Sequence, residues 1–319
     1  MRIRVACLTL IIMILPAAAA QEFKMPRTPA GAPDLQGVWT NTTATLLERP
    51  GAFDAPTTTE GRATAFIAAS KKAFLEDNSD GIGGRQSEWW EIGDYMTKIN
   101  GEIRTSVIVD PPNGKLPYSE AGKAMLAKAQ SDMFNVYDHP EARPSPERCL
   151  SGGSGSTGVP IFTARYNGNY QIVQTADHLV ISMEQNGVVR IIPLGGAGGT
   201  AAGARRWMGN SIARWEGDTL VVRTDGFHPG DAYKPAAAIY VSENARVTER
   251  FTRISPTEIL YQYTVEDPDA FSQTWRGEQL FYTTTNRVLE SACHEGNYSL
   301  PGILAGGREF DRRKAKANK

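Results

Sequence analysis

Alternating apolar and polar positions dominate the C-terminal half of the chain and predict a series of antiparallel strands. The segment YQIVQTADHLVISMEQNGVVRIIPL, residues 170–194, reads as three strands with turns at Ala176-Asp177 and Asn186-Gly187. An Asn-Gly pair between alternating runs is a strong hairpin signal, because both residues tolerate a positive φ. Further hairpins are predicted in SIARWEGDTLVVRTDGF and ARVTERFTRISPTEILYQYTVED, followed by strands in QTWRGEQLFY and RVLESACHE.

Helical patterns interrupt the strands in the N-terminal half. The run TTTEGRATAFIAASKKAFLE offers a capping box of Thr57 and Glu60 ahead of helix-forming residues. Two more helix candidates are SEWWEIGDYMTKI and YSEAGKAMLAKAQSDMF, the second capped by Ser119. Strands are expected in DLQGVWTNTT and in IRTSVIV, the latter ended by two prolines. The helical region therefore spans about residues 57–135.

The order of these elements predicts a mainly β fold, an antiparallel barrel-like meander with helices inserted in the N-terminal half. We prefer a barrel to a sandwich, because closure removes the exposed edges of the sheet. One β-rich domain is expected over residues 34–307, after a flexible segment at 21–33 and before a basic, frayed tail at 308–319. The Gly- and Ala-rich stretch 194–206 is predicted to be a flexible loop, long enough to act as a lid.

The first twenty residues indicate an exported protein. A basic start with Arg2 and Arg4, an apolar core over 5–16 and four alanines at 17–20 are typical of a cleavable secretory signal peptide. The apolar run is too short to span a bilayer, so the mature product is predicted to be periplasmic or secreted, without an integral membrane segment. Cleavage changes the net charge from −1 to about −3, which leaves no basic excess to attract nucleic acid.

Cleavage also removes Cys7 and leaves two cysteines, Cys149 and Cys293. Two cysteines in an oxidising compartment usually form a disulfide. A crosslink that closes so long a loop contributes up to about 5 kcal/mol in the chain-entropy model. It would also bring together charged and aromatic side chains from both sides of the link: Arg143, Arg148, His294, Glu295 and Tyr298.

The motifs do not indicate a metal or a cofactor. His294-Glu295 lacks the second histidine of a zinc-binding His-Glu-x-x-His motif, and Glu290 stands where covalent haem attachment needs a cysteine. The glycines at 153, 155 and 158 match a dinucleotide-binding pattern in letters, but they follow no strand and begin no helix. We therefore predict neither a metal nor a cofactor.

Strand alternation adds polar candidates for a ligand site. His178 and Glu184 share one face of a predicted strand, and Arg190 flanks the same Asn-Gly turn as Glu184. Glu184 and Arg190 are expected either to form a surface ion pair worth at most about 1 kcal/mol or to anchor a ligand inside the barrel.

Aromatic and amide side chains add further binding candidates. Asn169 and Tyr170 belong to the polar and aromatic run YNGNYQ. Its residues are expected either to line a ligand site or to form a turn and pack around it. Trp207 follows the flexible loop directly, together with Arg205 and Arg206.

Eight stretches in a fixed order resemble a family of exported, β-rich proteins common in soil bacteria: PDLQGVWTN, RTSVIVDPPNGKLPY, ERCL, YNGNYQIVQT, RIIPL, RWEGDTLVV, ERFTR and ACHEGNY. The resemblance covers most of the mature chain. It implies a signal peptide and a β-rich fold, and it brings no activity with it. That family often has an aromatic residue where this chain has His178, which argues against a catalytic role for this histidine. GVWT is similar to the Gly-x-Trp of lipocalins, which implies a lipocalin- or calycin-like barrel by fold analogy alone.

Three functional hypotheses follow. The first is a cofactor-independent acid–base enzyme, a lyase, isomerase or hydrolase, acting on a small, partly apolar or aromatic molecule. His294 would be its acid or base, supported by Glu295 or Glu184, with Tyr298 or Tyr170 as proton donor and Arg148 and Arg190 holding an anionic group. The second is a lipocalin-like binding protein in which the same groups anchor a ligand. The third is a structural envelope protein. The sequence leaves the substrate, the reaction and the oligomeric state open.

Overall fold

The alternating segments form strands that curl into a nearly closed antiparallel barrel. The computed structural model of the chain describes residues 23–76, 91–151, 155–195 and 203–317. In chain order the strands in these ranges are β1 (Gly37–Thr40), β2 (Thr57–Thr58), β3 (Lys98–Ile99), β4 (Glu102–Arg104), β5 (Ile108–Asp110), β6 (Asn169–Gln174), β7 (His178–Met183), β8 (Val189–Pro193), β9 (Asn210–Glu216), β10 (Thr219–Asp225), β11 (Tyr233–Lys234), β12 (Ile239–Tyr240), β13 (Arg246–Ser255), β14 (Glu258–Glu266) and β15 (Trp275–Thr283). The α-helices are α1 (Glu60–Glu76), α2 (Glu120–Asn135) and α3 (Ser299–Ala317). Short 3-10 turns occur at Pro140–Ala142, Gln185–Gly187, Pro229–Asp231 and Pro235–Ala237.

Nine strands follow one another around the barrel in the order β8-β7-β6-β1-β15-β14-β13-β10-β9. Each pairs antiparallel with its neighbours. Because the number of strands is odd, the two end strands β8 and β9 run parallel to each other. They meet at a single parallel bridge between Leu194 and Ala213, where the Gly195 N–H donates to the Ala213 carbonyl at 3.0 Å. β5 pairs with β15 beside the barrel, and β2-β4-β3 and β11-β12 form small separate sheets.

The predicted hairpins of the C-terminal half are confirmed. β6, β7 and β8 pair in sequence, as do β9 with β10 and β13 with β14. The Asn-Gly turn adopts the expected left-handed backbone, with φ of 57° at Asn186 and 59° at Gly187. Within β7 the buried side chains are Leu179, Ile181 and Met183, as the alternation predicts.

The inward faces of the strands form an aromatic-rich core. Trp39, Tyr170, Phe251, Tyr261 and Phe281 are all buried within the barrel. The rings of Tyr261 and Phe281 meet edge to face, with centroids 5.5 Å apart, a geometry that aromatic pairs favour over a face-to-face stack. A second, smaller apolar cluster packs under α1.

Helix α2 docks closely against the barrel. The Ser119 hydroxyl accepts a hydrogen bond from the Gly122 N–H at 3.0 Å and so caps the helix as predicted. The Ser119 N–H donates to the Ala270 carbonyl at 3.0 Å. A side chain at Gly122 would place its Cβ 1.9 Å from that same carbonyl oxygen. The missing side chain at Gly122 therefore lets the helix approach the loop before β15.

Two predicted features of the helical region differ in the structure. Thr57 and Thr58 pair with β4 instead of capping α1, and the Thr59 hydroxyl accepts from the Arg62 N–H at 3.4 Å. The predicted capping box is therefore wrong, because its first residue, Thr57, belongs to β2 and pairs with β4. The helix expected at 87–99 is also wrong where the structure describes it, since 91–97 contain no helix and 98–99 form β3.

The C-terminal region differs as well. The strand expected in RVLESACHE is wrong, because residues 284–298 form an irregular segment with a turn over 293–296. The basic tail is helical up to Ala317 as part of α3. No described helix has the length and apolarity needed to cross a membrane. The predicted signal peptide at 1–20, the glycine at 153 and most of the predicted lid, 196–202, lie outside the described residues.

Candidate functional site

The predicted disulfide is confirmed. Cys149 and Cys293 are bonded across a sequence separation of 144 residues, with their Cα atoms 5.8 Å apart. The Asn297 amide strengthens this contact by donating to the Glu147 carbonyl at 2.8 Å. The loop before Cys149 is therefore fastened to the irregular C-terminal segment.

The reactive side chains next to the disulfide face solvent. His294 and Glu295 are exposed on the turn that carries Cys293. Tyr298 keeps 85% of its surface exposed. These three predicted catalytic residues lie near one another in the chain, but they do not line a cavity.

Two predicted binding residues come together on the other side of Cys149. The Arg148 guanidinium lies 5.5 Å above the ring of Trp207. Trp207 in turn stacks on His228 with ring centroids 4.2 Å apart. This stack is a half-buried surface contact. His178, at the start of β7, lies 3.1 Å from the carboxylate of Asp177 and is also half-buried.

Two further predicted site residues, Glu184 and Asn169, are hydrogen-bonded to each other. The Asn169 side-chain amide donates to a Glu184 carboxylate oxygen at 2.6 Å, and the Asn169 N–H donates to the same oxygen at 3.3 Å. Neighbouring Tyr170 is buried, and its hydroxyl donates to the Ser156 carbonyl at 3.0 Å. Burial raises the pKa of Tyr170 well above its ordinary value, so this phenol is a core group with a satisfied hydrogen bond.

The ion pair expected between Glu184 and Arg190 is wrong. Glu184 has helical φ and ψ and leaves the strand alternation, whereas Arg190 points into the barrel. Its guanidinium forms two hydrogen bonds to Glu249, at 3.0 and 2.7 Å. The Tyr261 hydroxyl also donates to Glu249, at 2.7 Å, and burial raises the pKa of Tyr261 well above its usual range. These groups fill the barrel interior between β8, β13 and β14.

A cavity with a volume of ≈580 Å³ lies at one end of the barrel. Its wall includes residues 45–48 after β1, residues 162–166 before β6 and Gln185 after β7. These segments connect to the strands at the same end of the barrel. Helix α2, the loop over 144–147 and the turn Pro235–Ala237 complete the wall. Apolar side chains predominate, among them Leu47, Leu116, Met133, Pro146, Phe162 and Pro235.

Three charged side chains line this cavity: Glu48, Glu147 and Arg165. Glu147 holds the buried Arg143 guanidinium through two hydrogen bonds, at 2.8 and 2.9 Å. Glu48 accepts from the Leu116 N–H at 2.7 Å and lies 3.7 Å from the Lys115 ammonium. Burial lowers the pKa of Arg165.

Sequence reasoning missed Arg165. The residue stands directly before the polar and aromatic run YNGNYQ, in TARYNGNYQ. Its position just before a strand that enters the barrel was an available signal, because barrel mouths are common places for ligand pockets. Within the ranges that the structure describes, no group of three or more His, Cys, Asp or Glu side chains is arranged to hold a metal ion.

Comparisons with known proteins give little further information. No protein-family model matches the chain. No curated protein matches it either. Among solved structures, the chain has some similarity to a secretary abundant heat soluble (SAHS) protein from Ramazzottius varieornatus. The sequence identity is 11%, 36% of this chain and 70% of that chain are covered, and the TM-score is 0.23. A score this low supports no inference about the present chain.

Proposed function

We propose that the protein binds a small, partly apolar molecule in the cavity at the end of the barrel. The observation that carries this proposal is the cavity itself, ≈580 Å³ in volume and walled mainly by apolar side chains. Binding pockets for small molecules typically measure about 300–1,000 Å³ and combine apolar walls with a few polar groups. The cavity fits that description.

Binding is preferred to acid–base catalysis on the position of the candidate groups. His294 and Glu295, the proposed acid–base pair, are exposed and lie outside the cavity lining. The carboxylates that do line it, Glu48 and Glu147, already accept hydrogen bonds from the protein. A general acid or base must lie within hydrogen-bond reach of the proton that it transfers. Because His294 and Glu295 lie outside the cavity, the structure supports binding better than acid–base catalysis.

Met133→Trp tests the location of the binding site. Met133 is a half-buried residue of α2 that lines the cavity, so an indole at this position is expected to fill part of the volume. We expect the affinity for the neutral dye N-phenyl-1-naphthylamine, measured by fluorescence titration, to fall about tenfold or more, a change of about 1.4 kcal/mol or more.

Phe134→Trp is the matched control, because Phe134 is the next residue of the same helix and is largely exposed. It is expected to bind the dye as the parent does. Equal binding of the dye by the parent protein and by the Met133→Trp variant would refute a ligand site in this cavity.

We also propose that the protein is exported to the periplasm or the extracellular space. The start of the sequence supports this, and so does the Cys149–Cys293 disulfide, because disulfides persist mainly in oxidising compartments. Mass spectrometry of the protein produced with its full sequence is expected to find Gln21 as the first residue. Protein that retains residues 1–20 and stays in the reducing cytosol would contradict the proposal.

A further inference from the structure

We propose that Arg165 makes the cavity selective for molecules that join an apolar body to a single anionic group, such as a carboxylate. This inference rests on the proposed binding function and adds the chemical class of the ligand to it. It follows from the balance of charges around the cavity, from the apolar wall and from the geometry that a guanidinium prefers.

The charges that line the cavity do not balance one another. Each carboxylate has a partner from the protein: Glu147 is paired with Arg143, and Glu48 with Lys115 and a backbone N–H. Arg165 is different, since no hydrogen bond or ion pair of its guanidinium occurs in the described part of the chain. Among the described residues, the cavity therefore offers one cation without a hydrogen-bonding partner for its guanidinium.

Partial burial makes this unused capacity significant. Withdrawing a charged group from water is costly unless it gains a partner. The effect is visible at Arg165, where burial lowers the pKa. A ligand carboxylate would supply two oxygen acceptors in the planar, forked arrangement that guanidinium groups favour. Binding such a ligand would give Arg165 a partner that the described side chains do not provide.

The same surroundings argue for one anionic group per ligand. Arg165 is the only cationic side chain among the described residues that line the cavity, so a second anionic group on the ligand would have no cation to pair with. The remaining wall is apolar, with the thioether of Met133 and the ring of Phe162 available to contact an aromatic or aliphatic body. The expected ligand is therefore a monoanion with a compact apolar part.

Matched ligands separate this inference from the binding function itself. Naphthalene-2-carboxylate and naphthalene-2-carboxamide have nearly the same shape and differ in charge. By calorimetric titration of the full-length protein, we expect the acid to bind about tenfold or more tightly than the amide, because a charge-assisted pair replaces a neutral one. Naphthalene-2,6-dicarboxylate is expected to bind more weakly than the monoacid.

Single-residue variants test whether Arg165 causes the preference for the acid over the amide. Arg165→Met is expected to bring the ratio of acid to amide affinity close to one, and Arg165→Lys is expected to keep part of the preference. Arg223→Met is the control, because it removes the same charge from an exposed position on β10, outside the cavity. It is expected to leave the ratio as in the parent. Thermal melts of each variant establish that it is folded.

The outcomes distinguish the two proposals. If the parent binds acid and amide equally, or if Arg165→Met keeps the full preference, the role of Arg165 is refuted while the binding function stands. Tighter binding of the diacid would refute the single-anion rule. If the parent binds neither naphthalene compound nor the neutral dye, the binding function fails and this inference fails with it.

Discussion

Replacing Glu249 with glutamine is expected to lower the free energy of unfolding by about 3–5 kcal/mol, the range seen when one partner of a buried ion pair is removed. Glu249 is fully buried, and Arg190 is only 3% exposed. Burial by itself lowers the pKa of Arg190, but the charge of Glu249, its hydrogen bonds to the guanidinium and the charge of Tyr261 together raise it. Without that charge the guanidinium would stay in the barrel with no counter-ion, so the folded state would lose stability.

Guanidinium chloride denaturation followed by tryptophan fluorescence measures this loss. Glu216→Gln is the control, because exposed Glu216 on β9 pairs with half-buried Arg250 on β13, across β10 on the outer face of the sheet, and its loss should leave the unfolding midpoint nearly unchanged. The double variant Arg190→Met/Glu249→Leu removes both charges and is expected to be more stable than Glu249→Gln alone. A Glu249→Gln midpoint equal to that of the Glu216→Gln control would show that the pair does not stabilise the barrel.

Removing the disulfide is the second large change. Cys149→Ser/Cys293→Ser is expected to lower the free energy of unfolding by about 2–5 kcal/mol, because the crosslink restricts the unfolded chain over a separation of 144 residues. A local effect should accompany the global one. The described part of α3 buries only Leu304 and Gly307, so α3 and the irregular segment before it depend strongly on this covalent attachment.

Two measurements separate the global and local effects. Denaturant unfolding reports the first, and hydrogen–deuterium exchange reports the second as faster exchange in α3 than in β13 or β14. Reduction and alkylation of the parent protein should reproduce both changes. If the serine variant keeps the parent's stability and α3 keeps its protection, the link is dispensable for anchoring this region.

Local signals were sufficient to predict the hairpins of the C-terminal half. The Asn186-Gly187 turn and the alternation through Leu179 and Ile181 depend only on residues close in sequence, and the structure has both. The same rules gave the Ser119 cap of α2. They failed at Thr57, because pairing with a strand 47 residues later outweighs a local capping preference.

Long-range partners could not be read from the pattern. Alternation correctly put Arg190 on the face it shares with Ile192, but its partner Glu249 lies 59 residues further along the chain. The nearer candidate, Glu184, bonds to Asn169 instead. Which inward-facing charges meet depends on the strand order, and that order is set by the whole sheet.

The candidate site was predictable in one respect only. Counting cysteines led to the Cys149–Cys293 link, whose loop contributes Pro146 to the cavity wall. The density of reactive groups around His294 drew attention to a turn that faces solvent. Arg165 was proposed as a ligand anchor because its guanidinium has no partner among the described residues, and such a property emerges only when the surrounding side chains are in place.

The position of β1 constrains how this molecule can be assembled. Its residues pair on one side with β6 and on the other with β15, so that Trp39 lies opposite Thr283. A strand near the start of the polypeptide thus receives its second neighbour from near the end. The sheet cannot be completed while the ribosome is still translating the region before β15. Contacts of this sequence separation are associated with slow folding, so closure of the barrel is expected to be a late event in folding.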